Sequence, residues 1–87
     1  MNEIDIKVER MYKFADGKPL KAFADIVVND VLLIKSLKVI EGNDGLFVSM
    51  PQEQAKNSRW YESVRCLSKD LKDRIAREVI QAYEGGV

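Results

Sequence analysis

A chain of 87 residues, 46% hydrophobic and 32% charged, is too apolar to stay disordered, too charged to span a membrane and long enough for one small domain with a thin core. With no histidine and a single cysteine, Cys66, it lacks the usual zinc ligand sets and an internal disulfide, so neither a metal nor a cofactor is expected. Basic and acidic side chains number 14 each, which argues against the strongly basic field of a dedicated duplex binder.

In chain order, Glu3 to Tyr12 alternates, with Ile4, Ile6 and Val8 on one parity and Glu3, Asp5, Lys7 and Glu9 on the other. Period two predicts a strand with one wet face. Ala15-Asp16-Gly17-Lys18-Pro19 is turn chemistry, and Leu20 to Val28 alternates again as the second strand. Small Ala22 and Ala24 on its inward parity leave room for a helix to pack close. Asn29-Asp30 predicts a second tight turn, followed by a Val-, Ile- and Leu-rich third strand from Val31 to Glu41. Lys35, Ser36 and Lys38 interrupt that strand, so part of it meets water.

Gly42-Asn43-Asp44-Gly45 predicts a hairpin, since both glycines accept positive φ and Asn43 and Asp44 tolerate the left-handed region. Leu46 to Met50 is the fourth strand, ended by Pro51, which has no N–H for a ladder. Val39, Leu46 or Phe47, and Val48 are the core candidates of this hairpin. From Gln52 to Arg59 no apolar side chain exceeds alanine, and the segment reads as an exposed, mobile loop. Trp60 to Val64 has the composition of a short fifth strand.

Four to five strands in hairpin and meander order need a cover for one face. The C-terminal segment supplies it: Ser68 is an N-cap, Asp70 sits in the first turn, and Gly85-Gly86 is the stop. Between them Leu71, Ile75, Val79 and Tyr83 recur every four residues as an amphipathic stripe. Asp70–Arg74 and Asp73–Arg77 are predicted i,i+4 pairs, each worth about 0.2–0.5 kcal/mol. The fold class is therefore α+β, a four- to five-stranded antiparallel sheet followed by one C-terminal amphipathic helix, in a single domain over residues 1–87. Met1 is followed by Asn-Glu-Ile-Asp, with no basic start and no continuous apolar stretch. A cytoplasmic location without membrane association is expected.

Chemistry-bearing residues are sparse. The Gly-Asn-Asp-Gly bend has no following lysine and opens no helix, so it is not a phosphate-cradling P-loop. Cys66 beside Arg65 has no histidine to act as base, and reads as a small, partly buried thiol. Trp60 and Tyr61 alternate, so one is expected in the core while the other is free to stack on a base beside Arg59 and Arg65. Lys69, Lys72, Arg74 and Arg77 are interleaved with Asp70, Asp73 and Glu78, which favours a solvated, salt-bridged face over a phosphate-reading one. No nucleophile, base and oxyanion donor assemble, so neither an enzyme nor a small-molecule substrate is expected.

Val39-Ile40-Glu41-Gly42-Asn43-Asp44-Gly45-Leu46-Phe47-Val48-Ser49-Met50-Pro51 resembles the signature of the stage V sporulation protein G (SpoVG) family, close to Val-Ile-Asp-Gly-Asn-Asn-Gly-Leu-Phe-Val-Ala-Met-Pro. The likeness extends along nearly the whole chain, from the alternating first strand to a final helix ending near Tyr83. It implies a small bacterial cytoplasmic protein that forms a homodimer, binds DNA or RNA, and modulates gene expression and septum formation. In that family Met-Pro is followed by a small polar residue and two basic ones, where this chain has Gln52, Glu53 and Gln54. Each cation lost removes a phosphate contact, and Glu53 adds repulsion. The family's His-Pro-Ile segment is Arg65-Cys66-Leu67 here.

Residues 56 to 87 carry a net +2 against −2 for residues 1 to 55. The candidate nucleic-acid contacts are accordingly Lys56, Arg59, Arg65, Lys69, Arg74 and Arg77. Two readings stand from the sequence: a dimeric DNA- or RNA-binding regulator of weak or no site specificity, and a protein-interaction module of the same fold that has lost nucleic-acid binding.

Overall fold

The period-two stretches form one sheet in a computed structural model that describes residues 4–85. Its strands are β1 (Ile6–Lys13), β2 (Leu20–Val28), β3 (Leu32–Gly42) and β4 (Gly45–Ser49), paired antiparallel in the order β1-β2-β3-β4. A separate two-stranded sheet, β5 (Gln52–Gln54) with β6 (Trp60–Glu62), precedes the helix α1 (Lys69–Glu84). This is the expected α+β architecture. Glu3 and Gly86, assigned from sequence to the first strand and the helix stop, lie outside the described residues.

Alternation decides which face is buried. Ile6, Ala22, Ala24, Ile26, Leu37 and Val39 point to one side and meet Ile75 and Val79 of α1, with Met50 closing the cluster. Ala22 and Ala24 are wholly inaccessible; their lack of bulk lets the neighbouring side chains close over the middle of the sheet. The helix starts where the Ser68 side chain accepts from the Leu71 N–H at 3.2 Å, and it ends as the Gly85 N–H bonds the Gln81 carbonyl. Its backbone comes nearest to β1 and β4, the two edge strands. Neither predicted helical ion pair is present: Lys69 meets Asp73 at 3.6 Å, and Arg74 donates to the Ile4 carbonyl.

The interruption in β3 is a bulge rather than a wet stretch of regular strand. Ala24 pairs with Leu37 and Ile26 with Ile34, so Lys35 and Ser36 both stand opposite Asp25. Ser36 takes φ 68° and its N–H donates to Asp25 Oδ1 at 3.0 Å. On the other flank Arg10 pairs with Asp25 and Val8 with Ile26, which leaves Glu9 as a second bulged residue. Asp25 is the one buried polar side chain among the described residues, 8% exposed, and it serves as backbone acceptor where the ladder is broken.

The turns follow their chemistry with one correction. Asn29 and Asp30 both have positive φ and Val31 N–H bonds the Val28 carbonyl at 3.1 Å, which is the primed two-residue hairpin. Asn29 also receives the Asp5 N–H on its side chain at 2.8 Å, tying the start of the chain to this turn. Lys7 reaches Asp30 at 3.1 Å and Asp5 at 3.8 Å, and the Asp30 hydrogen bond raises its pKa.

At the β3–β4 hairpin Gly42 pairs with Gly45, but only Gly45 has positive φ, at +116°. Gly42 is small for another reason: a Cβ there would come within 3.0 Å of the Phe47 ring. Gly45→Ala is therefore expected to cost about 1–2 kcal/mol through backbone strain, read as a lower urea midpoint at unchanged slope. Gly42→Ala displaces the ring of a half-exposed phenylalanine instead, and is the milder change.

Gln52 to Arg59 is not an open loop. Gln52 faces Glu62, Glu53 faces Tyr61 and Gln54 faces Trp60 across β5–β6. The connecting turn is closed by Ala55 N–H to the Arg59 carbonyl at 2.8 Å and Ser58 N–H to the Ala55 carbonyl at 3.0 Å. The expected fifth strand thus forms but leaves the main sheet, and Trp60 and Tyr61 are 60% and 50% exposed. Neither enters the core, because this ribbon pairs with no strand of the main sheet.

Candidate functional site

The six cations nominated from sequence fall into two groups. Arg65 Nε lies 3.2 Å from Glu62 Oε1, Lys69 pairs with Asp73, and Arg74 is turned to the Ile4 carbonyl, so each already has a partner within the chain. Lys56 and Arg59 occupy the β5–β6 turn and Arg77 an exposed position of α1; all three are exposed and unpaired with any carboxylate among the described residues. The Arg59 backbone is held by the Asn57 side chain at 3.1 Å and the Ser58 carbonyl by Gln54 Nε2 at 3.2 Å. That bonding presents Lys56 and Arg59 together at the tip of a short, closed ribbon.

Alternation leads to a second surface that no motif marked: the sheet face turned away from α1. Tyr12, Phe23 and Lys38 stand in one cross-strand row, and Ile40 pairs with Phe47 beside it. Tyr12 is 51% and Phe47 48% exposed. Arg10 donates to the Tyr12 hydroxyl at 2.9 Å, a bond that raises the guanidinium pKa above its ordinary value. Phe14 meets Phe23 edge to face with centroids 5.4 Å apart.

Lys38 Nζ lies 5.4 Å from the Trp60 ring centroid, which joins the β5–β6 ribbon to this face. Toward the other end of the face, Glu9, Arg10, Asp25, Val27, Leu33 and Lys35 line a shallow depression of about 310 Å³. Parity in the sequence marked Phe23 and Phe47, which alternate with core-facing residues, but not Tyr12, which shares the parity of Ile6 and Val8 and reaches this face only through the bulge at Glu9.

On the helix side, an apolar groove of about 240 Å³ runs between the strand ends and α1, bordered by Met50, Cys66 and Leu71. Cys66 is half-buried and its thiol donates to the Ser68 carbonyl at 3.3 Å. No group of three or more metal-ligating side chains occurs among the described residues. No helix among them is long and apolar enough to cross a membrane.

The family model named SpoVG matches residues 1–85. Similar proteins include "Putative septation protein SpoVG" of Archaeoglobus fulgidus, 32% identical over 80 residues that cover 92% of this chain and 94% of that one. The protein of the same name from Lachnospira eligens is 30% identical over 84 residues, covering 97% of this chain and 92% of its own. That of Treponema denticola is 28% identical over 81 residues, covering 93% and 87%. These relatives are named for septation and not for a reaction. With the meander, the glycine-bounded β3–β4 hairpin and a match over nearly its full length, this chain belongs to the SpoVG family.

Proposed function

We propose that this chain is a homodimeric, cytoplasmic, non-enzymatic regulator of septation and gene expression that binds DNA or RNA with little site specificity. The observation that carries the reading is the closed β5–β6 ribbon, which holds Lys56 and Arg59 exposed, with no carboxylate partner among the described residues, beside the exposed Trp60. Those two cations stand close to the place after Met50-Pro51 where family members carry their basic pair, so they substitute for it from the turn. Homodimerisation has its own rationale: β1 and β4 are edge strands of an open sheet, and pairing across a two-fold removes unpaired backbone groups while doubling a weak cationic patch.

Binding to single- and double-stranded DNA and RNA across a salt series tests it. Lys56→Ala with Arg59→Ala is expected to weaken binding and to flatten the log–log salt dependence by up to about two units, one per lost phosphate contact. Arg65→Ala with Arg74→Ala is expected to leave the slope nearly unchanged, since both are engaged within the chain. Absence of binding to every nucleic acid at low ionic strength would sink the reading.

One observation favours a protein-interaction module instead. Gln52, Glu53 and Gln54 are all exposed on β5, which offers a polar, uncharged-to-acidic strand edge suited to pairing with an added strand of another protein. A stoichiometric protein partner that persists after nuclease treatment would support that module.

A further inference from the structure

We propose that the sheet face opposite α1 is a stacking platform for single-stranded nucleic acid, on which Tyr12, Phe47 and Trp60 hold bases while Lys38 and Arg10 contact phosphates. It rests on the nucleic-acid reading above and adds to it a second surface and a preference for unpaired strands.

A soluble protein rarely leaves several aromatic rings open on one side of a sheet without a use for them. Here Tyr12 on β1, Phe47 on β4 and Trp60 on the ribbon are each about half exposed or more. They are spread across the face rather than clustered: β1 and β4 are three strand spacings apart, roughly 14 Å at about 4.8 Å each. Such a spread suits successive bases of an extended strand, as on four-stranded RNA-binding sheets that stack two or three. Duplex bases are stacked on each other and offer no free π-face, so the platform selects single strands.

The rings are positioned. Tyr12 is held through its hydroxyl by Arg10, Trp60 by the ammonium of Lys38, and Phe47 by the glycine backbone beneath it, where a Cβ on Gly42 would intrude at 3.0 Å.

Charge decides between a nucleic acid and an apolar partner. Arg10, Lys35 and Lys38 have no carboxylate within ion-pair distance among the described residues. Of the acids near this face, Asp25 is buried and bonded to Ser36, Glu41 is taken by Lys21 at 3.5 Å, and Glu9 borders the same depression as Arg10 without an ion pair to it. A ring-and-cation surface of this kind fits a polyanion with flat bases, whereas a second copy would bring the same cations face to face.

The single tryptophan of the chain makes the test direct. Full-length protein is titrated with oligo(dT), oligo(U) and a mixed-sequence duplex, and Trp60 fluorescence and affinity are followed. Quenching by the single strands but not by the duplex is expected. Tyr12→Ala and Phe47→Ala are each expected to weaken single-strand binding roughly 5- to 100-fold with duplex affinity unchanged. Phe47→Leu separates stacking from apolar docking, since it keeps apolar area without a π-face; it is expected to behave like Phe47→Ala. Circular dichroism of each variant confirms folding.

Single-strand affinity that survives Tyr12→Ala and Phe47→Leu while Lys56→Ala with Arg59→Ala abolishes it overturns the platform and leaves the proposed function standing. Binding of no nucleic acid by the unaltered protein overturns both. Dissociation of a dimer by Phe47→Ala but not by Phe47→Leu, without loss of single-strand affinity, assigns the face to a second copy and overturns the platform.

Discussion

Leu37→Ala is expected to destabilise the protein by about 2–5 kcal/mol, toward the upper end of that range. Leu37 is wholly inaccessible and stands opposite Ala24 on β2, with Ala22 paired to the next core residue, Val39. The cross-strand partner of Leu37 is itself an alanine, which cannot reach into the vacated space, so a cavity remains and its cost adds to the lost transfer free energy. Total stability for 87 residues is on the order of 4–13 kcal/mol, so the loss is a large share of the whole. Differential scanning calorimetry should show Tm falling by at least about 8 °C, at about 4–8 °C per kcal/mol for a domain of this size. Leu67→Ala is the control: Leu67 is 93% exposed, and a shift within about 0.5 kcal/mol is expected. Equal effects at the two positions would contradict the core described here.

The second large effect is expected at Asp25. Asp25→Ala removes the acceptor for the Ser36 N–H in a bulge where no ladder carbonyl takes its place, at a cost of about 1–3 kcal/mol. Asp25→Asn keeps an oxygen at that position and is expected to recover most of the loss in chemical denaturation. The pair of variants separates the acceptor role from the charge. If Asn costs as much as Ala, the negative charge beside Arg10 is what matters, and the bulge is held by other means.

Of the candidate site, what the sequence made legible came from residue type alone. Lys56 and Arg59 stand out as cations in a polar segment, and they are indeed exposed. What was not legible was which cations are spoken for. Arg65, Lys69 and Arg74 look equivalent to them in sequence, yet each meets an oxygen of this chain, because rotamer choice in long side chains is set by what the fold brings near. The Ile4 carbonyl lies seventy positions from Arg74, a separation no local pattern reports. The open sheet face was missed for a related reason: Tyr12, Phe23 and Phe47 belong to three different strands, and only the register makes them neighbours.

By itself the sequence determined the strands of the main sheet, the helix and most of the turns. Those depend on interactions within a few residues: alternation that sorts side chains to two faces, Asn29-Asp30 bending on its own chemistry, Ser68 capping the turn beside it. The thirteen residues from Val39 to Pro51 carried the family likeness for the same reason, as an uninterrupted local pattern.

Tertiary structure alone decided three things. Gln52–Gln54 is a strand despite unfavourable composition, since pairing with Trp60–Glu62 supplies hydrogen bonds that propensity does not foresee. Trp60 and Tyr61 both remain outside, because that ribbon leaves the main sheet instead of extending it. Asp25 is buried although its parity faces outward, since two bulges fold the flanking strands around it and give its carboxylate a backbone N–H to accept. In each case the deciding partner is a backbone group or strand edge whose position follows from the whole chain, so local chemistry could propose the conformation but not choose it.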